Sequence, residues 1–495
     1  RKETIGQWEV VALGKPMDLG NTIGDLYAAL VQKQEALFFD KIEELVPSKF
    51  TQVFLRKFLS WYTRKMYIYV KEEYKDEIYS ISPYLADKYD YIADKYQRSL
   101  YLHAAHDIGH SMQDLALVGC SSFAVWGDNT PDGELLIARN LDFYIGDEFA
   151  KEKIITFIHP ENGYKFMSVS WAGFVGVMSG MNEKGLTVTI NAGKSDIPKI
   201  AKNPISLVAR EIVQYASTID EAITIAKKQE VFVSESIMVG SAQENKAVLI
   251  EISPDKFGVF EVENSSKLIC SNHFQSKAYQ NDENNTKHIK ESHSRYRYDR
   301  MIELLSAESK ITPEIAVDIL RNKKGLEDKN IGLGNEKSIN QLIAHHGIVF
   351  QPSKKMVWVS ANPYQLGAFV AFQLDSVFNN RHKKTTTLSF RDGLIKEDPF
   401  VKTQDFMNYE KYRIGKNKIQ NAIKNDENLT QDKLDNFKKL NPDSWEVYYL
   451  VGEYYYQHKY YSAALNEFND ALTKEISTIP EKVKIENYIK KIKRK

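Results

Sequence analysis

The chain is poor in cysteine: among 495 residues only Cys120 and Cys270 occur, too few for a disulfide framework or a structural cysteine-ligated zinc site. Long apolar runs are also missing. The nearest, Leu115 to Trp126, falls short of the roughly eighteen residues that span a bilayer, so no transmembrane segment is expected. There is no surplus of either charge, since 66 Lys+Arg balance 66 Asp+Glu. Nucleic acid is therefore a poor candidate partner, because that binding draws on a basic excess to displace counterions. The sequence begins at Arg1 with no Met and no apolar leader, from which an exported chain, periplasmic, surface-anchored or secreted after removal of a targeting segment, is expected.

What is present is an ordinary globular composition, 43% hydrophobic and 27% charged, enough for about two to four domains. Three regions differ in texture. Residues 1–119 read as an N-terminal helical region, a pro-segment or α chain, with apolar and aromatic positions at helical spacing and Tyr dense from Trp61 to Tyr101. Residues 120–375 carry short β-rich runs: Ser122 to Trp126, Leu135 to Ala138, Ile154 to Ile158, Phe166 to Trp171, Gly185 to Ile190, Ile237 to Val239, Ala247 to Ile252, Gly347 to Phe350, Met356 to Val359 and Phe369 to Phe372. Helical stretches at about 204–228, 293–308 and 313–322 interrupt them, the last opened by Thr312 as N-cap with Pro313 behind it. Strands, helices and strands again predict a layered α+β domain. Residues 376–495 read as a polar linker and a helical module, where Gly452, Tyr455, Ala464, Phe468 and Ala471 are spaced like one tetratricopeptide repeat.

Cys120 stands where helical sequence gives way to the first strand. The turn Asp128–Gly133 brings a second strand back, ending in Arg139-Asn140-Leu141-Asp142. A guanidinium beside a thiol favours the thiolate, and a carboxylate balances the cation. The base is still lacking, and a cysteine at a chain's own N-terminus supplies it: an α-amine with a pKa of about 7.7–8.0 accepts a proton near neutrality. Cutting the Gly119–Cys120 bond would create that amine. Without Cys120, Arg139 and Asp142 read as a strand-end ion pair.

The segment from Gly119 through Asp142 resembles the N-terminal-nucleophile (Ntn) cysteine hydrolases of the isopenicillin N acyltransferase and choloylglycine hydrolase type. Gly180-Met181-Asn182-Glu183-Lys184-Gly185-Leu186, the strand through Asn191, Leu268 to Phe274, and Ser292-His293-Ser294-Arg295 resemble further motifs of that superfamily. The resemblance covers about residues 100–375. It implies a four-layer αββα sandwich in which Cys120 is the nucleophile and Arg139 and Asp142 hold and polarise it. It further implies an oxyanion held by Asn272 Nδ2 and the backbone N–H of Asn191, with Arg295 steering Asp142 or a substrate carboxylate. The implied activity is hydrolysis or acyl transfer at a linear N-acyl amide bond of a small molecule, through an acyl-Cys120 intermediate, after autoproteolysis at Gly119–Cys120.

Other features carry plainer readings. Cys270 is expected as a free core thiol rather than a disulfide partner of Cys120. His103, His106 and His110 share a helix face with Asp107 nearby, but packing is favoured over metal binding. His345-His346 reads as a structural pair. No cofactor and no metal are expected. Two alternatives stay open: a catalytically inactive Ntn-like scaffold that binds a protein partner through the helical module, and an uncleaved cysteine hydrolase with a histidine base.

Overall fold

The computed structural model describes residues 6–45, 48–105, 107, 118–195, 200–379 and 388–494. Its strands are β1 (Trp8–Gly14), β2 (Val118–Val125), β3 (Leu136–Phe143), β4 (Ile154–Pro160), β5 (Phe166–Ser170), β6 (Ser179–Asn182) and β7 (Leu186–Ala192). They continue with β8 (Glu235–Ser241), β9 (Lys246–Ile252), β10 (Phe257–Phe260), β11 (Lys267–Cys270), β12 (His346–Gln351), β13 (Met356–Ser360) and β14 (Phe369–Gln373). Two sheets form, one of eight strands in the order β1-β4-β5-β6-β7-β8-β9-β10 and one of six in the order β11-β2-β3-β12-β13-β14.

Period-two alternation decides what each face meets. In β2, Ala124 points with Ile137, Phe350 and Val359 at Ile155, Phe157, Met238 and Leu249 of the other sheet, making the inter-sheet core. Phe123 and Val125 point outward, where Met301, Leu305, Val317 and Leu320 of the helices Ser294–Ala307 and Pro313–Leu320 cover them. On the far side, Val188, Ile190 and Ile237 pack under Leu207, Val208, Ile212 and Ala222 of the helices Ile205–Tyr215 and Ile219–Lys227. The result is helix, sheet, sheet, helix: the αββα sandwich. Thr312 caps its helix as the sequence predicts, accepting the Ile315 N–H at 3.3 Å.

The N-terminal region is helical but also supplies β1, which runs parallel to β4 from Trp8↔Ile154 to Gly14↔Pro160. Residues before Cys120 thus complete the eight-stranded sheet, the one that faces the sheet bearing Cys120. Buried polar contacts fasten them further: Arg210 Nη2 donates to Glu77 Oε2 at 3.0 Å, the Val175 N–H donates to His103 Nε2 at 2.8 Å, and Asp107 Oδ2 accepts the Ile205 N–H at 2.8 Å. His103 also uses its other ring nitrogen on Ser99 O at 2.7 Å, which leaves it no lone pair for a metal; His106 and His110 lie outside the described residues. The C-terminal helices Gln404–Asn425, Gln431–Leu440, Trp445–Gln457, Tyr461–Leu472 and Ile479–Ile492 enclose a second, aromatic core that reaches Leu342 and Leu366 of the sandwich. Gly452 lets two of them approach: a Cβ there would lie 2.8 Å from Phe468 Cε1.

Candidate active site

Cys120 lies on β2 between β3 and β11, fully buried. The β2–β3 register sets Gly119 opposite Asp142, Cys120 opposite Leu141 and Ser122 opposite Arg139. Arg139 therefore shares the inward face with Cys120, whereas Asp142 faces the helix side with Ser121. The two charges straddle the strand instead of sharing a face.

Arg139 Nη2 donates to Cys120 Sγ at 3.6 Å, and Nη1 donates to Met178 O at 3.1 Å and to Ser179 Oγ. It also reaches Ile190 O, so this one side chain pins the sulfur to the opposite sheet. Asn272, just past β11, accepts the Cys120 N–H on Oδ1 at 3.0 Å and donates Nδ2 to Ala192 O at 3.0 Å. Its own N–H donates to Ser294 Oγ at 2.8 Å, which locks the strand end to the first turn of the outer helix.

The arginine that faces the site is Arg297, not Arg295. Arg297 donates to Cys120 O, to Ser121 Oγ at 2.9 Å and to Asn272 Oδ1. Arg295 sits exposed on the same helix, paired with Asp299 at 2.9 Å. Residues at i and i+2 of a helix are about 200° apart, so Arg295 and Arg297 cannot both face the strand. A readable signal existed: Ser294, Arg297, Met301 and Leu305 are buried together, spaced i, i+3, i+7, i+11, and the apolar pair fixes which face is inner.

Asn191 also differs from its expected part. Hydrogen bonds from Gly193 N to Ser234 O and from Ala242 N to Gly185 O fix the β7–β8 ladder at both ends. With Asn191 opposite Ser236, the alternation of that ladder directs the Asn191 N–H to Ser236 O. The backbone donor assigned to the oxyanion is taken by the sheet. The side chain instead braces the site: Nδ2 donates to Cys270 O at 3.1 Å and Ser271 O at 3.2 Å, and Oδ1 accepts from Ser122 Oγ at 2.8 Å. Asn182 closes the β6–β7 turn, its Oδ1 accepting the Lys184 and Leu186 N–H groups at 3.0 Å. Gly185 there holds φ +76°, a left-handed conformation suited to glycine.

Burial dominates the electrostatics. It raises the Cys120 thiol, against the lowering effect of Arg139. It pushes the Asp142 carboxyl up to about 7, opposed by Arg297 and then Arg139. Both cysteines are free thiols. Among the described residues no imidazole is hydrogen-bonded to Cys120; the nearest link is His346 Nε2, 2.9 Å from Ser179 Oγ, which in turn contacts Arg139. His346 and His345 share a 2.8 Å Nδ1 contact, and burial lowers both pKa values. No group of three or more His, Cys, Asp or Glu among the described residues is arranged to hold a metal.

Residues 128–363 match the family described as acyl-coenzyme A:6-aminopenicillanic acid acyl-transferase. That match covers just under half of the chain. An uncharacterized protein of Archaeoglobus fulgidus is 28% identical over 272 residues, 50% of this chain and 43% of its own. Protein dcd1B of Dictyostelium discoideum is 27% identical over 31% of each chain. The chain thus spans less than half the length of these relatives. Among solved structures, an N-acylethanolamine-hydrolyzing acid amidase ortholog from Caenorhabditis elegans is 18% identical, covering 47% of this chain and 93% of its own, with a TM-score of 0.34. A variant of conjugated bile acid hydrolase from Clostridium perfringens is 17% identical, covering 55% and 98%, with a TM-score of 0.36. The αββα layering rests on the two sheets and the helices that cover them.

Proposed function

We propose that this chain is the precursor of an Ntn cysteine amidohydrolase or acyltransferase acting on a linear N-acyl amide. One observation carries the reading: Cys120 presents nitrogen, carbonyl and sulfur to three different partners, Asn272 Oδ1, Arg297 and Arg139 Nη2. A structural cysteine in a strand needs no such clamp on all three.

In the continuous chain the sulfur is sealed, so the first event is internal. Sγ adds to the Gly119 carbonyl, the Cys120 nitrogen leaves with a proton as the free amine, and water hydrolyses the thioester. The products are the Gly119 carboxylate and a regenerated thiol. Asp142, opposite Gly119 in the ladder and carrying a proton up to pH about 7, is placed to neutralise the departing nitrogen. Movement of the freed end then uncovers the sulfur.

In the mature site the α-amine takes the thiol proton while Arg139 stabilises the thiolate. The thiolate adds to the substrate carbonyl and the protonated amine delivers its proton to the leaving nitrogen. The oxyanion is assigned to Asn272 Nδ2, which exchanges Ala192 O for an oxygen acquiring full charge, a bond about twice as strong as a neutral one. Arg297 and Asn191 are positioning residues. Water or an amine resolves acyl-Cys120, giving hydrolysis or transfer. The test is to quench the processed enzyme during turnover of an N-acyl amide panel: an acyl mass on the Cys120 peptide that hydroxylamine removes is expected, and turnover without any such adduct contradicts the reading.

A further inference from the structure

The helix Lys49–Thr63 turns an unusual face to solvent. Phe54 is 69% exposed, Trp61 50%, and Phe58 and Val53 41% each. Phe54, Phe58 and Trp61 follow the i, i+4, i+7 pattern of a single stripe. Beyond the break at Arg64–Lys65, Tyr67 and Ile68 of the short helix Met66–Tyr69 extend it, 51% and 58% exposed. The packed side lies beside the stripe: Tyr62, whose ring stacks on Phe58 at 5.7 Å, is buried edge-to-face on Phe232 at 6.0 Å, Met66 is buried, and the Ala201 N–H donates to Tyr62 O at 3.0 Å. The helix therefore has a broad apolar surface, and among the described residues only its Tyr62 side is packed.

Charge decides what meets the other. From Lys49 to Tyr69 the sequence holds Lys49, Arg56, Lys57, Arg64 and Lys65 and no Asp or Glu, in a chain whose overall charge is balanced. On a helical projection Lys57 and Arg64 lie together along one edge of the Phe54–Trp61 stripe. Arg64 also lies over the Trp61 ring at 4.4 Å, a cation–aromatic pair suited to the boundary between water and lipid headgroups. Aromatic residues along one line, cations beside them and no acid match a helix lying in the plane of an anionic bilayer. Cations with no acid among them call for a uniformly negative surface, which an anionic bilayer presents over the whole length of the helix.

We propose that this face binds the surface of an anionic lipid bilayer, with Phe54, Phe58 and Trp61 entering the headgroup boundary and Lys57, Arg64 and Lys65 meeting lipid phosphates. The position is favourable for catalysis on acyl chains. Ala192, whose carbonyl is bonded to Asn272, lies nine residues before Ala201 on Tyr62, a chain length of roughly 30 Å at most. The surface binding itself does not rest on the chemistry proposed for Cys120.

The test is flotation of the full chain with vesicles of equal phosphatidylglycerol and phosphatidylcholine, against phosphatidylcholine alone. Binding to the anionic vesicles is expected, weakened by salt, and reduced about ten-fold or more by Phe54→Ser with Trp61→Ser or by Lys57→Glu with Lys65→Glu. Both pairs are exposed, and circular dichroism with an unchanged melting temperature verifies folding. The Cys120→Ala chain should float equally well, so failure of the chemistry and failure of this surface are distinguishable. Absence of vesicle binding, binding that the two double variants leave unchanged, or self-association through the stripe without vesicle binding would each overturn the proposal.

Discussion

Around Cys120 the sandwich buries two guanidiniums and a carboxyl that are incompletely satisfied: Arg139 Nε, Arg297 Nε and both oxygens of Asp142 lack a hydrogen-bond partner among the described residues. The C-terminal helices bury polar groups too, but mostly as tyrosine hydroxyls that find acceptors. Tyr455 reaches Gln431 at 2.7 Å, Tyr449 and Tyr488 share Glu453 Oε1 at 2.8 and 2.9 Å, and Trp445 Nε1 donates to Ser477 at 3.1 Å. An orphaned buried polar group costs about 1–3 kcal/mol, more if charged. In the described C-terminal helices Glu467 Oε2 and His458 Nε2 are the like cases, so the charged groups left unsatisfied gather more densely around Cys120. That difference in degree accords with the chemistry proposed for Cys120.

The comparison breaks most completely at the sulfur. Cys120→Ala should abolish both cleavage at Gly119 and acyl-amide turnover, a loss of about 10³-fold or more, while the melting temperature stays near that of the uncut parent; gel mobility, turnover assays and calorimetry check this. On the other side, Phe468→Ala removes a ring stacked on Tyr488 at 4.9 Å and packed on Gly452. It should cost the helical module about 3–5 kcal/mol in denaturant unfolding yet leave Cys120 labelling in the processed enzyme unchanged. Arg297→Lys, which loses the fork spanning Cys120 O, Ser121 and Asn272, should lower turnover by about 10²-fold; Arg295→Lys should change it less than about two-fold, and the pair of rate constants tests the reassignment.

The smallest effect is a pH dependence. The Asp142 carboxyl is raised from 3.8 to about 7 in the fold, so between those pH values the folded chain holds a proton that the unfolded chain has released. Its contribution to stability therefore falls as pH rises through that window. In the uncut Cys120→Ala background, adding Asp142→Asn should remove this slope: the variant's advantage in thermal melts widens from pH 4 to pH 7 and then holds. A constant gap would mean that the carboxyl is ionised in the fold.

Much of the sandwich was legible because alternation is local. Strands at Ile154, Phe166, Ala247 and Met356 lie within a few residues of their expected limits, and the Cys120–Arg139–Asp142 grouping follows from one hairpin. β1 was not legible, since its pairing with β4 joins residues about 146 apart and only tertiary contact makes Trp8–Gly14 a strand. The site lost detail for a similar reason. Which of two arginines faces a strand depends on helix phase, and whether the Asn191 N–H is vacant depends on the neighbouring β8, neither of which is encoded in the motif itself. The split of Arg139 and Asp142 to opposite faces is the exception: their spacing of three is odd, and odd spacing in a strand reverses the side.

Intact mass spectrometry of the purified full chain, followed by N-terminal sequencing, addresses the central claim most directly. The expected result is two co-eluting pieces, residues 1–119 held by β1 and residues 120–495 beginning with a free Cys120 amine that an electrophile modifies at sulfur. A single uncut chain of 56.9 kDa that nevertheless turns over an N-acyl amide would contradict it.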